Sequence, residues 1–227
     1  MPKNQPENQQ SAHHESTAKG PDGRMVDRML FFSDAVFAIV LTIMVLELHP
    51  PVMEGWEHTS DSAIWNSFGA LFRTFFAYLV SFALVGMWWA IHMRVTRALH
   101  RFDWPTAIAN LFFLLAVSLI PFAASVLGES ITSGVPWQIY WGVNALASLA
   151  MTIMMVIVSR NGGQLLGGMT GRERAARIVQ SMGPGIGFAI GVWLAASGQV
   201  ALSRYCWIFI IPVMVLARII HKAPKSA

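Results

Sequence analysis

Six long apolar blocks, separated by short polar loops, make up most of the chain. Each approaches the roughly 20 residues that an α-helix needs to cross the hydrocarbon core of a bilayer. The pattern therefore predicts an all-α, polytopic membrane protein with six transmembrane helices. The blocks cover approximately residues 30–48, 66–92, 105–127, 137–159, 178–197 and 205–220.

The polar ends of the chain suggest its division into segments. Residues 1–24 contain few large apolar side chains and many Asn, Gln, Ser, His and Pro residues, a composition typical of disorder. This segment also lacks the basic-then-apolar order of a cleavable signal peptide. We expect a disordered tail over 1–24, a six-helix transmembrane domain over 25–222, and a short C-terminal tail over 223–227.

Basic residues are concentrated in alternate loops. The first loop is acidic, with Glu54, Glu57 and Asp61, and the C-terminal tail carries Lys222 and Lys225. Because cytoplasmic loops are enriched in Lys and Arg, the pattern places both termini in the cytoplasm of a multi-pass cell-membrane protein. The same rule accounts for the net charge of +4 without nucleic acid as a partner. The second and fourth loops hold Arg94, Arg97, Arg101, Arg160, Arg172, Arg174 and Arg177.

Several kinds of chemistry have little basis in this sequence. The single cysteine, Cys206, excludes a disulfide framework or a multi-thiolate metal site within one chain. No glycine-rich phosphate loop ending in Lys and Ser or Thr is present. The sequence also offers no metal-ligand cluster and no nucleophile with an evident base partner. We therefore expect neither enzymatic activity nor a cofactor.

The first apolar block contains an ionisable residue, Asp34, which is costly in lipid. Such a group normally faces the protein interior or a wet path and has a partner. At about 100° per residue, Ile39, Thr42, Ile43 and Leu46 form one stripe that lies roughly 80° to 180° from Asp34. The stripe either lines an axis or is ordinary core or lipid-facing surface, whereas Asp34 belongs to another face.

A second polar group lies at a matching depth near the end of the second block. Trp88 and Trp89 stand four and three residues before His92, so either indole can share a helix face with the imidazole. Their N–H groups are donors that can satisfy a buried carboxylate such as Asp34. Arg28 is a further candidate because it would supply a compensating charge.

These residues resemble the signature of a known family. Arg28, Phe32, Ser33 and Asp34 match the R-x-x-x-F-S-D pattern of the transmembrane protein 175 family of potassium channels. The Trp-x-x-His element from Trp89 to His92 is also similar to that of its prokaryotic members. The resemblance covers the chain from about residue 24 to the end, although helices three to six match only in number and hydropathy.

The resemblance implies a homotetramer in the lipid bilayer whose four first helices surround a path for potassium ions. The family's hydrophobic constriction would correspond to Ile39, with Ile43 and Leu46 as the next apolar layers. Thr42 takes the position of a pore-facing hydroxyl.

The remaining signature residues would form a network that holds the helices together around the pore. That network comprises Arg28, Phe32, Ser33, Asp34, Trp89 and His92. The usual potassium-selectivity filter is a ring of backbone carbonyls from a TVGYG-like loop, and this sequence lacks such a loop. We therefore expect only modest selectivity for potassium over other cations. The expected function is a potassium-preferring leak channel.

A proton-coupled secondary transporter is the alternative. In that case Asp34 and His92 would form a proton relay instead of a scaffold. Transporters often contain internal repeats, and the two halves of this chain show no convincing similarity, which favours a channel.

Overall fold

The computed structural model describes residues 20–48 and 60–206, without the side chains of residues 64, 66, 67 and 70. Within these ranges the protein is all-α, as expected, and contains no β-strand. Five helical stretches are long and apolar enough to cross a membrane. Most of the sixth expected span, residues 205–220, lies outside the described residues, although a helix runs from residue 200 to 206.

We number the helices from the N-terminus. A 3₁₀ turn, Met44–Glu47, continues the first helix at its C-terminal end, and another, Gln164–Leu166, lies before the last numbered helix. The helices are α1 (Pro21–Ile43), α2 (Asp61–Thr96), α3 (Trp104–Ser118), α4 (Ile120–Glu129), α5 (Gly134–Val158) and α6 (Gly171–Ala196).

Helices α1 and α6 begin seven or more residues before their apolar blocks. Helix α1 starts at Pro21, so residues 21–24 belong to it and not to a disordered tail. Proline suits the first helical turn, where its missing N–H costs nothing, and Asp22 complements the helix dipole there. Helix α6 starts at Gly171 because Thr170 and Glu173 form a capping box. Hydropathy therefore located the membrane-crossing parts of these helices but not their polar first turns.

The third apolar block forms two helices instead of one. Helices α3 and α4 are separated at Leu119, and together they make a single candidate span, Trp104–Glu129. Pro121 explains the interruption, because it has no N–H and its ring would clash with the carbonyl of Val117 in a continuous helix.

Helix α5 lies at the centre of the fold and packs against α3, α4 and α6. Its Trp141 is fully buried, with ring centroids 5.6 Å from Trp137 and 5.7 Å from Phe188 of α6. The Trp141 Nε1–H donates to Ser203 Oγ over 3.1 Å, and Ser203 Oγ donates to the carbonyl oxygen of Gly191 over 2.9 Å. These contacts fix the close approach of α5, α6 and the helical segment after α6.

Gly191 has no room for a larger side chain. A Cβ at this position would lie 2.8 Å from Cδ1 and 2.9 Å from Cγ of Trp141, whose ring is held by its stacked neighbours. We expect Gly191→Ala to lower the free energy of unfolding by about 1–3 kcal/mol, as overpacking in a filled core does. Scanning fluorimetry of the purified protein in detergent measures the effect.

Gly183 supplies the matched control on the same helix. A Cβ there would meet nothing within 4 Å, so Gly183→Ala should be neutral or slightly stabilising through its better helix propensity. Equal melting temperatures for the two variants would contradict the close approach of α5 and α6.

Candidate functional site

Helix α1 has one buried face and one exposed face. Phe37 and Val40, together with Met44 of the 3₁₀ turn that continues the helix, are buried against the neighbouring helices. On the opposite side, Ile39 is 55% exposed and Leu46 is 69% exposed. Ile43 and Thr42 are exposed on the same side, so the stripe predicted from helical geometry lies uncovered in the described part of one chain. No side chain among residues 20–48 and 60–206 covers the stripe, which leaves it open to another copy of the chain, to lipid or to a water-filled path.

Thr42 gives this stripe its one hydroxyl group. Its Oγ1 donates to the carbonyl oxygens of Ala38 and Ile39, at 3.0 and 2.9 Å. Since the hydroxyl hydrogen is used within the helix, the oxygen offers only lone pairs to anything that approaches the exposed side. The stripe is therefore aliphatic with a single acceptor, which suits a cation better than an anion.

Asp34 lies at the boundary between the two faces and is bound to α2. The Trp89 Nε1–H donates to Asp34 Oδ1 over 2.9 Å, which makes Trp89 the one of the suggested donors that bonds to this carboxylate. Both side chains are exposed at the surface of the single chain. This contact joins the signature of α1 to the Trp-x-x-His element of α2.

Arg28 does not neutralise Asp34 in the described structure, contrary to expectation. The two residues are six apart, which places them about 120° apart around the helix and about 9 Å apart along it. Arg28 lies on the side of the exposed stripe, and Phe32 is 52% exposed. Neither side chain joins a hydrogen bond or ion pair among the described residues.

His92 belongs to a separate chain of hydrogen bonds within the core. Its Nε2 lies 2.6 Å from Asn110 Oδ1, Asn110 Nδ2 donates to Ser33 Oγ over 2.9 Å, and Ser33 Oγ donates to the Met29 carbonyl over 2.8 Å. The Asn110 amide nitrogen faces Ser33 and its oxygen faces the imidazole, so His92 donates to it in the tautomer that carries the hydrogen on Nε2. In this arrangement the hydrogen bonds run in one direction, from His92 to Asn110, from Asn110 to Ser33 and from Ser33 to the Met29 carbonyl.

Aromatic rings enclose this chain of hydrogen bonds. The Phe113 ring is stacked on His92, with centroids 5.4 Å apart and planes inclined by 6°, and the Phe37 centroid lies 5.7 Å from that of His92. His92 is only 1% exposed, and its Nδ1 has no hydrogen-bond partner in the described part of the chain. Three helices, α1, α2 and α3, are therefore fastened together at one buried point.

Asn110 is the residue of this network that the sequence analysis did not single out. Its signal was a lone amide in an otherwise apolar helix, a common interhelical hydrogen-bonding group. A second such amide, Asn144, accepts a hydrogen bond from Trp88 Nε1 over 3.2 Å. Single polar residues do not reveal their partners, so only the folded arrangement identifies these contacts.

Asn110→Ala tests the buried network. The change leaves the His92 Nε2–H without its acceptor, and we expect it to lower the free energy of unfolding by about 1–3 kcal/mol. Thermal unfolding in detergent measures the loss. Ser118→Ala is the control on the same helix, because Ser118 is exposed and bonds only to the Leu115 carbonyl of its own helix. Equal stability of the two variants would contradict a structural role for the network.

Comparison with known proteins relates this arrangement to one family. A family model described as "Endosomal/lysosomal potassium channel TMEM175" matches residues 28–121, the stretch that contains the hydrogen-bond network. The chain is also similar to a solved structure, the crystal structure of a lysosomal potassium-selective channel TMEM175 homolog from Chamaesiphon minutus. The matched region covers 82% of this chain and 98% of the homolog's chain. The TM-score is 0.59 at 22% sequence identity, a likeness in fold.

Curated relatives come from bacteria and vertebrates. A potassium channel of Streptomyces collinus is 29% identical over 126 residues, which cover 56% of this chain and 59% of the relative. The endosomal/lysosomal proton channel TMEM175 of Danio rerio is 31% identical over 102 residues, or 44% of this chain and 18% of that protein. A potassium channel of Chryseobacterium is 31% identical over 137 residues, which cover 60% of this chain and 67% of the relative. The chain therefore belongs to the TMEM175 family.

Proposed function

We propose that the chain is a potassium-preferring, leak-type cation channel of the cell membrane, in which four copies of α1 surround the pore of a homotetramer. The observation that carries the proposal is the exposed stripe of α1, opposite a face that is buried in the fold. The bacterial relatives named potassium channels support the choice of ion. One helix cannot enclose a pore, so the stripe needs further copies to form one.

In this arrangement Ile39 forms the constriction, and Ile43 and Leu46 form the apolar layers beyond it. An aliphatic ring offers no ligands to a dehydrated ion, so conduction requires the ring to widen or remain wet. Closure then occurs by dewetting of the ring. Thr42 lies between these layers, and its acceptor-only oxygen favours cations without stripping their hydration shell. Selectivity among cations is consequently modest.

The buried network serves as a scaffold in this proposal. Ser33 and His92 hold α1 against α2 and α3 through Asn110, and Asp34 holds it against α2 through Trp89. Arg28 and Phe32, which are exposed in the single chain, lie at contacts between copies.

Proton movement is the second candidate function. The vertebrate relatives are named proton channels, and Asp34 and His92 are the ionisable groups that a proton-coupled carrier would use. Against a relay, the hydrogen bonds of His92 lead through Asn110 to the Met29 carbonyl and not to Asp34. The separation of the two groups favours the scaffold.

Planar-bilayer recording on the purified protein tests the proposed function. We expect unitary currents and, with potassium and sodium on opposite sides, a reversal potential displaced toward that of potassium. Slow transport without unitary events, coupled to a proton gradient, would favour the carrier. A reversal potential that follows only the pH gradient would favour a proton channel.

Substitutions at Ile39 test the constriction. Because Asn keeps the ring wet, Ile39→Asn should increase the conductance at least severalfold. In a Cys206→Ser background, Ile39→Cys should react with a water-soluble thiol reagent and reduce the current. Val40→Cys is the matched control, since Val40 is 4% exposed and lies on the buried face of α1. Unchanged currents and an unreactive thiol at position 39 would refute this assignment.

A further inference from the structure

Helix α1 carries two exposed arginines on the side of the exposed stripe, near its N-terminus. Arg24 and Arg28 are four residues apart, which is about one turn. Arg24 precedes Thr42 by 18 residues, or five full turns, so the two side chains leave the helix in the same direction. The exposed side of α1 therefore continues from Leu46 back to Arg24, over about 33 Å.

The described part of the chain does not neutralise either arginine. Neither guanidinium joins a hydrogen bond or an ion pair with a residue in 20–48 or 60–206. The guanidinium of an arginine is charged at every physiological pH. Each copy of α1 thus presents two fixed positive charges, Arg24 and Arg28, on the side that the proposed pore would use.

The acidic residues of the same turns lie on other sides of the helix. Asp22 is about 160° from Arg24 around the helix axis, and Asp27 is about 60° from it. Both acids line a cleft of about 390 Å³ between α1 and the loop before α3, together with His100 and Arg101. The charges of these turns cancel in sum, but their separation by side brings the positive ones nearest to the exposed stripe.

A fixed charge at a pore entrance changes the local concentration of the permeating ion. Its field reaches about one screening length, roughly 10 Å at 0.1 M salt, so acids on the far side of a helix offset it only in part. By Coulomb's law in water, four positive charges roughly 10 Å from the axis lower the concentration of a monovalent cation about threefold. The depletion acts only at the end where the charges lie, which the basic loops predict to be the cytoplasmic end.

We propose that Arg24 from four copies forms a ring of positive charge at the cytoplasmic entrance of the pore, and that this ring makes the current rectify. Arg28, at the contacts between copies, adds to its field. Potassium ions that enter from the cytoplasm meet a depleted entrance, whereas ions that enter from the other side do not. Outward current is therefore smaller than inward current at voltages of equal size. The proposal rests on the proposed homotetrameric channel and identifies a residue that sets its easier direction of flow.

Single-channel recording on the full-length protein tests the proposal, because each recorded channel has one orientation. In symmetric KCl at about 0.1 M, the currents at voltages of equal size and opposite sign should differ about two- to threefold. At about 1 M KCl the screening length falls to about 3 Å, so the ratio of the two currents should approach one. This comparison requires no substitution and can therefore refute the ring even if a variant at position 24 fails to assemble.

Arg24→Gln removes the charge and keeps a polar side chain. We expect the current ratio at about 0.1 M KCl to fall to near one, with the smaller current rising about twofold. Arg172→Gln is the matched control, since Arg172 is exposed on α6, which packs against α5, and the substitution removes the same charge. A wild-type ratio in Arg24→Gln, or an equal loss in both variants, would contradict the assignment.

A charge attached to the assembled channel separates the effect of charge from that of side-chain shape. In a Cys206→Ser background, Arg24→Cys should conduct without rectification. A methanethiosulfonate reagent that attaches a trimethylammonium group through a disulfide should restore the rectification, and one that attaches a sulfonate should reverse its direction. Both should act from only one side of the bilayer, and dithiothreitol should undo both. The same response to either reagent would overturn the proposal.

The wild-type recording also separates this proposal from the proposed function. Unitary currents that are linear with voltage at about 0.1 M KCl would refute the ring and leave the channel intact. The absence of unitary currents would refute the channel and the ring together.

Discussion

The hydrogen-bond chain from His92 through Asn110 to Ser33 determines how α1 is attached to the rest of the protein. In an apolar bundle no water is at hand to satisfy a polar side chain, so each such group needs a protein partner in a fixed place. Ser33, Asn110 and His92 meet this requirement only when α1, α2 and α3 are in one register. The orientation of α1, and with it the direction of the exposed stripe, follows from that register.

The fold separates a rigid part from a part that is available for assembly. Stacked aromatic rings and filled contacts such as Gly191 against Trp141 leave the α5–α6 region little freedom to rearrange. Helix α1 makes fewer contacts, and no described residue covers one full side of it. A helix that is fixed in rotation but open on one side is well suited to line an axis shared between copies.

Much of this arrangement could be predicted from the sequence, and the remainder has physical reasons. Hydropathy located the five spans that the structure describes. A 3.6-residue period separated Ile39 and Thr42 from Asp34, because helix geometry is regular. The sequence left Trp88, Trp89 and His92 open as donors to Asp34, and only the folded arrangement identifies Trp89 as the one that bonds to it. Arg28, the candidate for a compensating charge, lies on another side of the same helix. Asn110 could be read only as a general interhelical hydrogen-bonding group, because a lone amide does not identify its partner. The helix start at Pro21 was not predicted, because the first turn of α1 is polar.

The hydroxyl oxygen of Thr42 places a partial negative charge on the exposed stripe, which has no charged side chain between Ile39 and Leu46. With its hydrogen held by the carbonyls of Ala38 and Ile39, the group acts as a fixed dipole whose negative end faces outward. If four copies of α1 surround a pore, such dipoles would discriminate against anions at short range. A ring of carboxylates loses much of its influence as salt increases, because its longer-range field is screened. Discrimination by contact dipoles would persist in concentrated salt.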